Sequence, residues 1–307
     1  MRYTILICFL LTTGFLIAQT NNDKPSSSIR IEMLFPQGKS KALIMSYDDG
    51  TISDKRLVKL MNDYGIKGTF HLNSNKLSTK GYVTREEVKS LYTGHEVSVH
   101  SANHPGLGDL SKIDITYEVV EDRRALEKLT GITVRGMAYP FGNYNDFVVE
   151  TVSGLGIEYA RTVKDSYDFS IPADFLRWDP SIHQFAKAYF IPNDSVNDKK
   201  ELASFYKLVG EFIKSEKIAL LDVWGHSWEN EGAGNKWAEI ENFFKLISNR
   251  KDIHYTTQID LVDYINAYKN LKFSVDKNLI KNLSSIDVYI KIDGKVYKVA
   301  GGAQVVI

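Results

Sequence analysis

"KALIMSYDDGTISDKRLVKLMNDYGIKGTFHLN", residues 41–73, is the stretch from which the fold can be read. "KALIMSY" (41–47) is a short apolar run of strand length. "DKRLVKLMNDYG" (54–65) places apolar residues at helical spacing and stops at Gly65. "KGTFHLN" (67–73) returns to strand. Strand, helix, strand at this separation is a crossover unit, whose two strands run parallel.

The same alternation continues outward. "TREEVKSLYTG" (84–94) predicts a helix, "HEVSVHS" (95–101) a strand, and "DITYEVVEDRRALEKLTG" (114–131) a long helix. "VRGMAYPFG" (134–142) is a strand running into a turn. A helix near 145–155, the strand "GIEYART" (156–162), a helix near 199–215 and the strand "IALLDVWGHS" (218–227) follow, with a helix-strand-helix passage over 236–268. About seven such repeats predict an α/β fold closed into a barrel. The open doubly wound sheet is the alternative, and no glycine-rich phosphate loop follows the first strand to favour it. The barrel is expected over 39–268. Residues 19–38 read as a linker or N-terminal strand, and 269–307 as a small β-rich C-terminal appendage with a "DG" hairpin turn in "SIDVYIKIDGKVYKVAGG".

The chain has 307 residues, 43% of them hydrophobic and 25% charged, with 38 basic and 38 acidic side chains. That balance argues against general affinity for nucleic acid or anionic membranes. Residues 1–18, with Arg2 ahead of "ILICFLLTTGFLIA", read as a secretory signal peptide. The protein is therefore expected outside the cytoplasm, secreted or periplasmic, with no integral membrane segment in the mature chain. An uncleaved anchor is the other reading of that run. The single cysteine, Cys8, lies inside it, so a metal site in the mature chain must use His, Asp and Glu.

Barrel enzymes gather their chemistry at the C-terminal ends of strands. Those ends here carry Asp48 and Asp49 in "SYDDG", His100 with His104 in "HSANH", the "AYPFG" turn (138–142), and His226 in "WGHS". Two neutral imidazoles and one carboxylate leave open positions on a divalent ion, which can activate water and polarise a carbonyl. Adjacent aspartates on an extended strand point apart, so one can hold the ion while the other takes a proton. His226 could protonate a leaving group from the opposite side. Two surface histidines capping a loop are the bland alternative, and they leave the aspartates unexplained.

In order and spacing, "SYDDG", "HSANH", "YPFG" and "WGHS" resemble the motifs of the polysaccharide deacetylases, carbohydrate esterase family 4, which includes the chitin and nodulation deacetylases. The resemblance spans roughly residues 40–265. It implies a deformed (β/α) barrel and removal of an N- or O-linked acetyl group from a carbohydrate. It also implies Asp48 as general base, and Asp49, His100 and His104 as metal ligands. His226 would be the catalytic acid, and the Phe141 backbone N–H would help to hold the oxyanion. The ion would be zinc by default, with cobalt or nickel as alternatives. Many members carry an arginine three residues before the third-motif aromatic; here that position is Ala138, and Arg135 or Arg161 are the candidate substitutes. The aspartate that tunes the acid histidine has three candidates, Asp165, Asp179 and Asp222.

Tyr139 and Trp228 are expected to line a sugar groove, while Trp224 and Trp178 fit groove or core equally. His183 could reach the cleft, and Glu229 could meet substrate hydroxyls or merely start a helix. His71 reads as a satisfied buried histidine, and His95 and His254 as structural. A secreted, metal-dependent deacetylase of an acetylated glycan is the leading expectation. A hydrolase of a non-sugar C–N amide bond and a catalytically impaired glycan-binding protein are the competitors.

Overall fold

The computed structural model describes residues 30–185, 195–231 and 236–307, so the expected signal peptide lies outside the described residues. In chain order the strands and helices begin with β1 (Ile31–Leu34), β2 (Lys41–Asp49), α1 (Asp54–Asp63), β3 (Thr69–Leu72), α2 (Val88–Leu91) and β4 (Glu96–Val99). They continue with α3 (Lys112–Thr130), β5 (Gly136–Ala138), α4 (Asp146–Gly154), β6 (Tyr159–Arg161), β7 (Ile182–His183), α5 (Ser195–Lys214) and β8 (Ala219–His226). After these come α6 (Trp237–Ile247), β9 (Ile253–Tyr255), α7 (Gln258–Lys269), β10 (Lys272–Phe273), β11 (Leu279–Lys281), β12 (Val288–Ile292), β13 (Lys295–Val299) and β14 (Gln304–Val306).

The main sheet is parallel throughout, in the order β6-β5-β4-β3-β2-β8-β7, with β9 alongside the start of β2. Its two ends are joined by one stretch of chain, residues 178–184. The Trp178 N–H donates to the Ala160 carbonyl at 3.0 Å, and the Thr162 N–H to the Trp178 carbonyl at 2.8 Å. Further along, Ser181 and Gln184 donate to the carbonyls of Asp222 and Trp224 at 2.9 and 2.7 Å. The stretch therefore pairs with β6 at one end and with β8 at the other. It completes a seven-staved, deformed barrel.

Strand β2 shows how the barrel is filled. Leu43, Met45 and Tyr47 pack in the outer layer with Leu57, Val58 and Met61 of α1 and with Phe243 of α6. Ala42 and Ile44, on the opposite face, pack inside with Tyr159, Trp178 and Leu220. The inner face continues upward as Ser46 and Asp48, both buried. Along β2 the inner face is thus apolar toward the floor and polar at the C-terminal rim.

Helix α7 plugs the floor through Leu261, Val262 and Ile265. The buried Glu96 carboxylate accepts the Ile259 N–H at 3.0 Å, at the positive end of that helix, and takes hydroxyls from Thr69 and Tyr159. Tyr159 reaches it because Gly136 has no side chain; a Cβ there would sit 2.0 Å from the ring. The small sheets β1-β12-β13 and β10-β11-β14 lie beside α7, which shares a core with Val288, Ile290 and Ile292 through Ala267. The β12–β13 hairpin turns at Asp293 and Gly294, with φ of 46° and 86°. β1 pairs antiparallel with β12, so residues before and after the barrel share one sheet.

The helix expected over 84–94 shortens to the single turn α2. Glu87 bonds back to the backbone and hydroxyl of Thr84, which uses the preceding residues as a turn, and Gly94 at φ 87° ends the segment. No helix among the described residues is long and apolar enough to cross a membrane.

Candidate active site

Strand β2 delivers two carboxylates to the rim. Asp48 stands in register with His71 on β3 and His226 on β8. Asp49 departs from the extended conformation, with φ of 80°, and Gly50 follows at 72°. This turn brings both side chains to the same place. Asp48 Oδ2 is 3.8 Å and Asp49 Oδ1 3.9 Å from His100 Nε2, where a regular strand would send them to opposite faces.

The histidine pair is held from below by α3. The His100 N–H donates to the Leu72 carbonyl at 3.0 Å and to Asp122 Oδ2 at 2.9 Å. Glu118 accepts both the backbone and side-chain amides of Asn103 at 2.8 Å. The His100 ring places Nδ1 2.9 Å from the Ala138 carbonyl, which makes Nδ1 the donor and leaves the Nε2 lone pair available. His104, at φ 67°, brings its Nε2 to 3.1 Å from that of His100 and 3.6 Å from Asp49 Oδ1. Burial keeps both imidazoles neutral: it lowers His100, and it lowers His104 to about 4 with help from His100.

Asp49, His100 and His104 therefore present three ligand atoms around one point. At zinc bond lengths of about 2.0–2.1 Å, a tetrahedral arrangement puts neighbouring donors roughly 3.3 Å apart. The observed separations of 3.1, 3.6 and 3.9 Å bracket that value. Two imidazole nitrogens and a carboxylate oxygen suit a first-row divalent cation, with coordination positions left over.

Asp48 has a different partner. Arg161 Nη2 donates to both of its oxygens, and both residues are buried. The guanidinium also donates to the Thr162 carbonyl at 2.8 Å and lies 4.7 Å over the Trp224 ring. Burial alone would raise the Asp48 carboxyl; Arg161, followed by His100, outweighs it and holds the group well below the usual carboxylate range. Arg161 is the register partner of Ala138. The cation thus arrives from the strand beside the one on which the resembled family carries it. Arg135 is engaged elsewhere, with Asp263 and Glu158.

On the other side of the cleft, His226 Nδ1 is 2.9 Å from Glu229 Oε1, and the same oxygen is 3.1 Å from His183 Nε2. Glu229 Oε2 accepts the His226 N–H at 3.3 Å. The carboxylate folds back over the strand because residue 225 is glycine; a Cβ there would lie 3.1 Å from Oε2. Burial pulls His226 down, but the Glu229 hydrogen bond and charge prevail and raise it to about 9. Burial likewise opposes ionisation of Glu229, and His183 and His226 bring it to about 2.

None of Asp165, Asp179 and Asp222 fills the tuning position beside His226. Asp165 accepts the Trp224 indole N–H at 2.8 Å, Asp179 accepts the Thr162 hydroxyl at 2.5 Å, and Asp222 lies inside the barrel near Gln258. Tyr139 is corrected as well. It is fully buried, stacked on Tyr144 at 4.6 Å with its hydroxyl on the Leu176 carbonyl, and offers no face to a ligand. Trp178 and Trp224 are buried too.

The exposed aromatics at the rim are Phe141 (68% exposed, φ 58°), whose ring lies 4.4 Å from that of His104, and Trp228 (37% exposed), 5.0 Å from that of His226. His71 is buried and bonded through Nε2 to Gln258 and Ser46. His95 accepts the Gly68 N–H at 3.0 Å, away from the cleft.

Sequence reasoning missed Asp122 and the tuning role of Glu229. A signal existed for each. Asp122 falls on the buried stripe of α3 with Ile115, Val119 and Leu126, where a carboxylate needs a buried donor. Glu229 stands three residues after His226, within reach across one turn.

The family model described as polysaccharide deacetylase matches residues 36–160. A chitin deacetylase of Pestalotiopsis sp is 25% identical over 43% of this chain and 45% of its own length. A peptidoglycan-N-acetylglucosamine deacetylase of Listeria monocytogenes is 26% identical over 45% of this chain and 30% of its own. The chain thus spans less than half of these curated relatives. Among solved structures, a protein of Mycobacterium smegmatis assigned as a polysaccharide deacetylase superposes with a TM-score of 0.60 at 15% identity, covering 76% of this chain and 93% of that one. At that identity the likeness bears on the fold alone.

Proposed function

We propose that the chain, whose residues 36–160 match the polysaccharide deacetylase family, removes acetyl groups from a carbohydrate by metal-dependent hydrolysis. Asp49, His100 and His104 would hold the cation, with zinc preferred and cobalt or nickel compatible with the same donors. When bound, a divalent ion there supplies Lewis acidity, which eases deprotonation of water and polarises an acetyl carbonyl.

The rest is done by side chains and backbone. Asp48, kept ionised by Arg161, accepts the proton of the attacking water. The backbone N–H of Phe141, in the turn after β5, would donate to the developing oxyanion. His226, held protonated by Glu229, gives its proton to the departing amine or alcohol, and His183 steadies that carboxylate from behind. Phe141 and Trp228 flank the cleft as surfaces on which pyranose rings can stack.

The observation that carries this reading is the convergence of the three donors beside an aspartate already paired with a buried arginine. Residues 39–268 form the catalytic unit. Residues 269–307 would brace α7 at the barrel floor, with which they share a core. Action on a glycan outside the cytoplasm is part of this reading, and the apolar run after Arg2 is the sequence feature that supports it.

Acetate release from acetylated chito-oligomers, acetylxylan and simple amides, each with and without added zinc, tests the proposal. Zinc-stimulated release from a glycan supports it. Release from the simple amides alone moves the activity to non-sugar C–N bonds, and tight glycan binding without any acetate would make the protein a binder.

A further inference from the structure

We infer that Trp228 is a positioning residue for Asp49, acting on the metal site rather than only walling the cleft. The inference rests on the metal-dependent reading above.

Asp49 has two carboxylate oxygens with different surroundings. Oδ1 is the one turned toward the histidines, 3.6 Å from His104 Nε2 and 3.9 Å from His100 Nε2. Oδ2 accepts the indole N–H of Trp228 at 3.1 Å. It is also the oxygen nearest the acid, 4.0 Å from His226 Nε2. The indole therefore occupies the oxygen that His226 would otherwise take in an ion pair.

Two consequences follow from this geometry. A carboxylate pinned at one oxygen offers the other as a single donor and does not swing to chelate the ion with both. The acid and the metal ligand, 4.0 Å apart and about 1 Å beyond hydrogen-bond distance, are kept from closing into a direct hydrogen bond. The backbone alone does not secure this. Asp49 lies in the left-handed region at φ 80°, a conformation that a non-glycine residue holds only when its surroundings impose it. His100, by contrast, is locked by the Ala138 carbonyl and full burial. Asp49 is thus a ligand whose orientation depends on a partner more than that of His100, and a donor to the outer oxygen of a ligating carboxylate is the type of contact whose loss weakens metal affinity by about 10–100-fold.

The short chain geometry makes the contact dependable. Trp228 follows the acid by two residues in the turn Ser227–Asn230, and Ser227 is anchored on the buried Asp54 carboxylate. The indole is therefore aimed from a fixed base, although its ring is partly exposed.

The test is zinc affinity of the full chain, measured by competition with a chelating dye, for wild type, Trp228→Phe and Asp49→Ala. Trp228→Phe keeps an aromatic side chain and removes the N–H together with part of the indole's area, so the metal-free melting temperature is read alongside the affinity. Its zinc Kd is expected to rise about 10–100-fold. The melting temperature of the metal-free protein should stay unchanged while the zinc-induced increase shrinks, each tenfold in Kd removing about 1.4 kcal/mol of ligand stabilisation at saturating zinc. A merely structural role would instead lower the metal-free melting temperature. A Trp228→Phe Kd within about twofold of wild type overturns the inference. A wild-type Kd no tighter than that of Asp49→Ala overturns the metal reading, and this inference with it.

Discussion

Replacing Arg161 by methionine removes the cation beside Asp48 while keeping most of the side-chain volume inside the barrel. Burial alone pushes the Asp48 carboxyl up, and Arg161 is the largest influence opposing it, ahead of His100. An opposite charge in contact lowers a carboxyl by about 1–3 pKa units, and the variant gives that up while the burial remains. Asp48 is then expected above the ordinary carboxylate range, so a smaller fraction is ionised and able to act as base at neutral pH. Stability follows the same sign. In the wild type the folded-state value is depressed, so the pair stabilises the fold above the unfolded value of about 3.9, and this is lost as pH falls through the folded value. Leaving Asp48 buried without its partner costs about 3–5 kcal/mol at neutral pH, reduced to the extent that the carboxyl takes up a proton.

The assay is kcat/KM for acetate release as a function of pH. Arg161→Met should move the acid limb to higher pH by at least about one unit and lower the neutral rate. Arg161→Lys, which keeps a charge, separates the electrostatic loss from a packing loss. The register adds a sharper version. Ala138 pairs with Arg161 on strands about 4.8 Å apart, so Ala138→Arg combined with Arg161→Ala returns a guanidinium to Asp48 from the next strand and should recover much of the lost rate. An unshifted acid limb in Arg161→Met, with kcat/KM within about twofold of wild type, refutes the assignment of Arg161 as the partner of the base.

Glu229→Gln should bring His226 down from about 9, so the alkaline limb of kcat/KM moves to lower pH. Because the folded-state value of His226 is raised, its stabilisation is fully present below about 6.5 and fades as pH rises through about 9. In metal-free protein, urea denaturation should therefore show Glu229→Gln losing more stability at pH 6 than at pH 10; equal losses would speak against the pair. Gly225→Ala puts a Cβ 3.1 Å from Glu229 Oε2 and 3.3 Å from Gln184 Cβ. It should cost about 1–3 kcal/mol and depress kcat while leaving zinc affinity near wild type, since Asp49, His100 and His104 do not touch that residue; a parallel loss of zinc binding would show the two halves of the cleft to be coupled.

The legible parts of the molecule were those with local signals. The buried run of β2 and the amphipathic α1 are written in neighbouring residues, and the aspartates and histidines fall at strand ends that the same periodicity marks. What escaped depends on pairings between distant segments. The closing stave contains only a two-residue strand, and its hydrogen bonds to β6 and β8 leave no pattern in "RWDPSIHQ". Arg161 could be named as a candidate but not placed, because cross-strand register sets its position beside Ala138. The turn at Asp49 reversed the expectation that adjacent aspartates diverge. Tyr139 looked like a groove residue because it adjoins a rim motif, yet it sits one residue before the turn that lifts Phe141 outward, and its side chain packs inward.

The central claim is that one cation, gripped by Asp49, His100 and His104, is required for acetyl hydrolysis. Titrating metal-stripped protein with zinc, while following bound metal and acetate release in the same sample, tests it most directly. The account predicts that both rise together and saturate at a single equivalent per chain, and that Asp49→Ala and His100→Ala show neither. Acetate release by the stripped protein at the rate of the loaded form would contradict it.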